Sequence, residues 1–84
     1  MININQISEM LLSKLEGKRI GYSYSYNLNN DTKLFIMNDK YKGNKCFYFE
    51  LCDLENNVLD CTYTMNNTID SLNLMLTDVL SIAM

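Results

Sequence analysis

Polar and apolar positions alternate along this chain with two different periods, and the switch between them marks out its elements. Ile4, Ile7, Met10, Leu11 and Leu15 recur at helical spacing behind Asn3 or Asn5, either of which can cap a first turn. Gly17 supplies the left-handed position that ends a helix, so the pattern predicts a helix over residues 4–16. The period then becomes two. Ile20 to Tyr26 alternates large residues with Gly and Ser, as a strand with unequal faces does. After a turn cluster from Asn27 to Asp31, a second strand over Lys33 to Asn38 puts Leu34 and Ile36 on one side, with Phe35 and Met37 on the other. Asp39 to Asn44 reads as a turn. The third strand, Lys45 to Asp53, places Phe47, Phe49 and Leu51 opposite Cys46, Tyr48, Glu50 and Cys52. A turn at Glu55-Asn56-Asn57 leads to a fourth strand over Val58 to Met65, whose expected apolar side is Leu59, Cys61, Tyr63 and Met65.

Helical spacing returns at the end. Ile69, Leu72, Met75, Leu76, Val79, Leu80 and Ala83 form a wide apolar stripe behind Asn66 or Asn67, and Asp70 suits the positive end of the helix dipole. Leu74 falls among the polar positions of this helix and is expected to be exposed. The predicted fold is therefore α+β: one domain over residues 1–84, in the order α-β-β-β-β-α, an antiparallel meander with both helices on one face.

This arrangement has a consequence. Both sides of the predicted sheet carry large side chains, and two helices cover only one. The other exposes Phe35, Met37, Cys46, Tyr48 and Cys52, or the stripe of Tyr22, Tyr24 and Tyr26, according to register. Exposed apolar patches mark interaction sites. The candidate partner-binding residues are Tyr26, Phe35, Met37, Tyr48 and Leu74. A symmetric homodimer is one way to cover such a surface.

The candidate chemistry is sparse. The chain has no histidine, which removes Ser-His and Cys-His nucleophile arrangements, and its three glycines stand too far apart for a phosphate loop. Asp53-Leu54-Glu55-Asn56-Asn57 begins like a calcium loop, but Val58 occupies the glycine position and a hairpin turn accounts for it. Three cysteines without CxxC spacing or a fourth soft ligand give neither a disulfide framework nor a zinc site. No catalytic residue, metal ligand or cofactor is expected, and the chain is read as a non-enzyme.

Net charge is −3, with one arginine and six lysines of which only Lys40, Lys42 and Lys45 cluster, so no direct nucleic-acid partner is expected. No apolar run approaches the ~20 residues of a membrane span. No basic-then-apolar leader opens the sequence, so a cytoplasmic protein with reduced thiols is expected. Twelve asparagines against a single alanine and no proline point to AT-rich codons and a low-GC source.

Two resemblances bear on function. The helix–meander–helix order resembles the double-stranded RNA-binding domain, but that family places lysines at the start of its second helix, where this chain has Asn67-Thr68-Ile69-Asp70; that function is excluded. The opening Met1-Ile2-Asn3-Ile4-Asn5, the capped first helix, the Asn-rich hairpins and the acidic balance resemble small phage-encoded anti-CRISPR proteins, over the layout of the whole chain. That resemblance implies an inhibitor of an RNA-guided nuclease, carried by a phage or mobile element. A structural homodimer subunit and a small immunity or antitoxin protein are the alternatives.

Overall fold

A computed structural model describes residues 3–83. Met1 and Ile2 of the opening segment, and the side chain of Ala83, lie outside what it describes. The order is α1 (Ile4–Leu15), β1 (Ser23–Asn27), β2 (Thr32–Tyr41), β3 (Asn44–Asp53), β4 (Val58–Tyr63) and α2 (Ile69–Ala83). The four strands form one antiparallel sheet in sequential order. The chain is thus α+β with the α-β-β-β-β-α order that its periodicity predicts.

The helix ends follow from local chemistry. Asn3 caps α1, its side-chain oxygen accepting from the Gln6 amide at 3.1 Å. The chain leaves α1 through Gly17 at φ +75°, a conformation that penalises any side chain. Asn38, at an inward position of β2, donates its amide to the carbonyls of Leu15 and Lys18 at 2.7 and 3.2 Å. It satisfies carbonyls that the helix end leaves open and ties α1 to the sheet. At α2 the Thr68 hydroxyl accepts from the Ser71 amide, while Asn66 Oδ1 accepts from the Thr68 amide and from the Thr68 and Ser71 hydroxyls. The cap is therefore Thr68 braced by Asn66, and the helix begins later than an Asn66 or Asn67 cap would start it.

Two strand boundaries move for turn reasons. The β2–β3 connection is only Lys42-Gly43, both with positive φ (51° and 85°), which matches the twist of a tight hairpin. Tyr41 consequently pairs with Asn44, and Asp39 with Cys46, where the sequence predicts a six-residue turn. β1 is shorter than its alternation implies, because Gly21 at φ +93° makes a bend that leaves Ile20 exposed.

Leu11 and Leu15 of α1, Leu72, Met75, Leu76 and Val79 of α2, and Leu34, Ile36, Phe47, Phe49 and Leu51 of the sheet form one core. Both helices thus lie on one face. Registered partners share a face, so Tyr24 and Tyr26, paired with Ile36 and Leu34, are on the helix side with Tyr22. These three tyrosines are half-buried against the core, with Lys14 over the Tyr24 ring and Lys18 over the Tyr22 ring at 5.7 and 5.5 Å.

β4 departs from its reading. Cys61 and Tyr63, paired with Glu50 and Tyr48, lie on the side away from the helices, and Met65 is 86% exposed. Asp60 and Thr62 take the helix side instead. A register shift between Leu51 and Cys52 displaces the start of the strand. The expected apolar side of β4 is therefore an outer surface.

Candidate functional site

The surface away from the helices is built in rows across the sheet. One row runs Ser23, Met37, Tyr48, Tyr63; the next runs Ser25, Phe35, Glu50, Cys61; a third has Lys33, Cys52 and Val58. Among the described residues, no helix or loop packs over this face. Serines at the β1 end leave the tall side chains on β2, β3 and β4.

Three tyrosines form its most ordered part. The rings of Tyr41 and Tyr63 stack at 5.4 Å between centroids, 27° apart, and those of Tyr48 and Tyr63 meet at 5.1 Å and 54°. Tyr41 and Tyr63 reach each other across β3, where the outward residue is the small Cys46. That is why Cys46 is only 2% exposed on an otherwise open face. Cys52, flanked by Lys33 and Val58, is shielded in the same way. Burial pushes both thiols up, helped at Cys46 by the Asp39 carboxylate. Cys61 is exposed, and all three cysteines are free.

Polar chemistry on the face centres on Glu50. The Tyr48 hydroxyl donates to Glu50 Oε2 at 2.7 Å. This hydrogen bond to a carboxylate, then burial and the nearby Cys61, hold the phenol proton well above its usual range, so Tyr48 is a fixed donor. Phe35, Met37, Tyr48 and Glu50 are half-buried, whereas Tyr41 and Tyr63 are 54% and 44% exposed.

Of the five residues singled out from the sequence, the structure brings Phe35, Met37 and Tyr48 together here. Tyr26 is on the opposite face, packed beside α1, and is not part of this surface. Leu74 stands on the outer side of α2, 67% exposed and remote from the sheet's open face. Sequence reasoning passed over Tyr41, Glu50 and Tyr63. Tyr41 fell in a supposed turn, and Tyr63 on a strand side expected to be covered.

A concavity opens between the end of α1 and the hairpin end of the sheet. It has a volume of about 480 Å³ and is lined in part by Lys18, Arg19, Lys45, Glu16, Asp39 and Asn38. The fold gathers cations that are distant in sequence, but Glu16 and Asp39 offset two of the three. The Asn38 amide is already bonded to Leu15 and Lys18, and Asp39 accepts from the Lys40 amide. The cleft is a joint between α1 and the sheet, held by its own hydrogen bonds.

At the Asp53 turn, the carboxylate accepts from the amides of Glu55 and Asn57 and from the Asn57 side chain. The Asn57 side-chain hydrogen bond foremost holds the Asp53 pKa below the usual carboxylate range. Its oxygens serve the hairpin. Among the described residues no three His, Cys, Asp or Glu side chains come together as metal ligands would, and no helix is long and apolar enough to cross a membrane.

No protein-family model matches this chain, and no curated protein or solved structure matches it.

Proposed function

We propose that this chain is a non-enzymatic protein-binding module whose open sheet face is the docking surface. One observation carries the reading: Tyr41, Tyr48 and Tyr63 stand packed together, beside Phe35 and Met37, on a four-stranded face with no layer over it among the described residues. Tyrosine gives large, rigid contact area at little entropic cost, and aromatic residues are enriched at the centres of interfaces. A sheet already packed on its other side needs no such residues for its own core.

The resemblance to small anti-CRISPR proteins gives the reading a concrete target: an RNA-guided nuclease of bacterial defence, met in the cytoplasm by an inhibitor from a phage or mobile element. Support comes from the small size, the layout and the net charge of −3, which suits the basic surface of a nucleic-acid enzyme. Purified protein is expected to co-elute with such a nuclease at a fixed ratio and to reduce its DNA cleavage. Phe35→Asp and Tyr63→Asp, with circular dichroism unchanged, are expected to abolish both effects. Retention of full binding by both folded variants would overturn the docking face, and absence of binding across a panel of these nucleases would overturn the target.

A further inference from the structure

We infer that the docking face recognises an arginine side chain of its protein partner, seated at Glu50 beside Tyr48 and Tyr63. This rests on the docking reading above and gives it a chemical specificity.

Glu50 occupies an unusual place. It lies on a central strand, with Phe35 and Cys61 as its lateral partners and Tyr48 and Cys52 as its outward neighbours along β3. A half-buried carboxylate in such surroundings has lost part of its water, and one hydrogen bond replaces it, from Tyr48. Among the described residues no cation pairs with it, and Oε1 receives no hydrogen bond. Lys33, a cation on the same face, donates instead to the Asn56 side chain in the β3–β4 turn. The other cation at this face, Lys42, lies over the Tyr41 ring at 5.5 Å, so the sheet holds a negative charge ready and directs neither lysine to it.

That restricts what can dock. A partner covering this face with apolar atoms would strip the remaining water from the carboxylate and leave it unpaired, a large penalty. A second copy of this chain would bury two such groups, and the lysines it carries at this face are already engaged, Lys33 with the Asn56 side chain and Lys42 with the Tyr41 ring. A basic side chain removes the penalty, and arginine fits better than lysine. Its planar guanidinium lies on aromatic rings and donates several hydrogen bonds in one plane. Tyr48 and Tyr63 supply rings beside the carboxylate, and the Tyr48 hydrogen bond to Oε2 fixes the Glu50 rotamer in advance.

The test needs no identified partner. Isotope-labelled protein is titrated with acetyl-Gly-Arg-Gly-amide at millimolar concentrations and followed by amide chemical shifts. The same is done with the citrulline peptide, which keeps the shape and loses the charge. The arginine peptide is expected to move amides around Tyr48, Glu50, Cys61 and Tyr63, and to bind about tenfold or more tightly than the citrulline peptide, as a charge-assisted hydrogen bond implies. Glu50→Gln still accepts from Tyr48 and keeps the fold, so its spectrum should stay native while the arginine preference disappears. Equal binding of the two peptides at the face overturns the inference and leaves the docking surface standing. Amides on the face that do not move, or an arginine preference that persists in Glu50→Gln, also overturn it. The docking reading itself fails separately, through Phe35→Asp and Tyr63→Asp.

Discussion

Phe49 and Tyr63 lie near each other in the sheet but on opposite faces, and truncating each to alanine separates what the two faces do. Phe49 is 1% exposed and is among the largest fully buried side chains. Phe49→Ala removes its burial and leaves a cavity between the sheet and the helices, at a cost of about 3–5 kcal/mol. A domain of 84 residues has a total stability of about 4–13 kcal/mol, so this one change removes much of it. At roughly 4–8 °C per kcal/mol for this size, the melting temperature should fall by about 12 °C at the least. Tyr63 is 44% exposed, and what it gives the monomer is chiefly its contacts with the Tyr41 and Tyr48 rings. Aromatic pairs contribute about 0.5–1.5 kcal/mol each, so losing two of them in Tyr63→Ala should cost about 1–3 kcal/mol, less than the loss at Phe49. Urea titrations followed by circular dichroism measure both. An equal loss for the two variants would mean that the tyrosine face is structural and the division of the sheet into a core side and a docking side is wrong.

Leu76, fully buried in the core, should not tolerate a charge: Leu76→Asp is expected to abolish the cooperative melting transition, and an unchanged curve would refute the packing of α2. In native protein the exposed Cys61 should react rapidly with a thiol reagent, while Cys46 and Cys52 wait for denaturant; three fast thiols would contradict their shielding. Light scattering at micromolar concentration should give a monomer mass, because a face-to-face dimer buries two Glu50 carboxylates while Lys33 and Lys42 stay engaged with Asn56 and Tyr41. A dimer that survives Leu74→Glu and dissociates on Tyr63→Asp would show that the face closes on itself.

The fold was legible because its two periods are clean. Five apolar positions set α1, the alternation in β2 and β3 set their inward residues, and the stripe of α2 set its buried side. What escaped has local causes. The hairpin at Lys42-Gly43 uses positive φ at a lysine, which composition does not advertise, so Tyr41 was hidden in a supposed loop. β4 alternates as cleanly as its neighbours, but alternation does not say which side faces the helices; the register with β3 decides that. The same ambiguity put Tyr26 among the candidates, since its burial depends on pairing with Leu34. Glu50 read as an ordinary polar residue among Cys46, Tyr48 and Cys52. Its significance needs Phe35 and Cys61 on either side, a neighbourhood that exists only across strands.

The edges of the sheet bear on how a partner arrives. An open strand edge invites another strand, and proteins blunt such edges with short strands, charges and bulges. β1 is five residues long and alternates serine with tyrosines already committed to the helix side. β4 is six residues long, its pairing with β3 is shifted at Leu51 and Cys52, and Asp60 points to the helix side of that edge. An added strand would have to follow the irregularity and set its own side chain beside a carboxylate. Strand addition draws affinity from backbone hydrogen bonds, which are nearly blind to sequence. Docking on the face instead presents side chains to side chains. On the proposed reading, that is what allows Tyr41, Tyr63 and the unpaired Glu50 to select a partner.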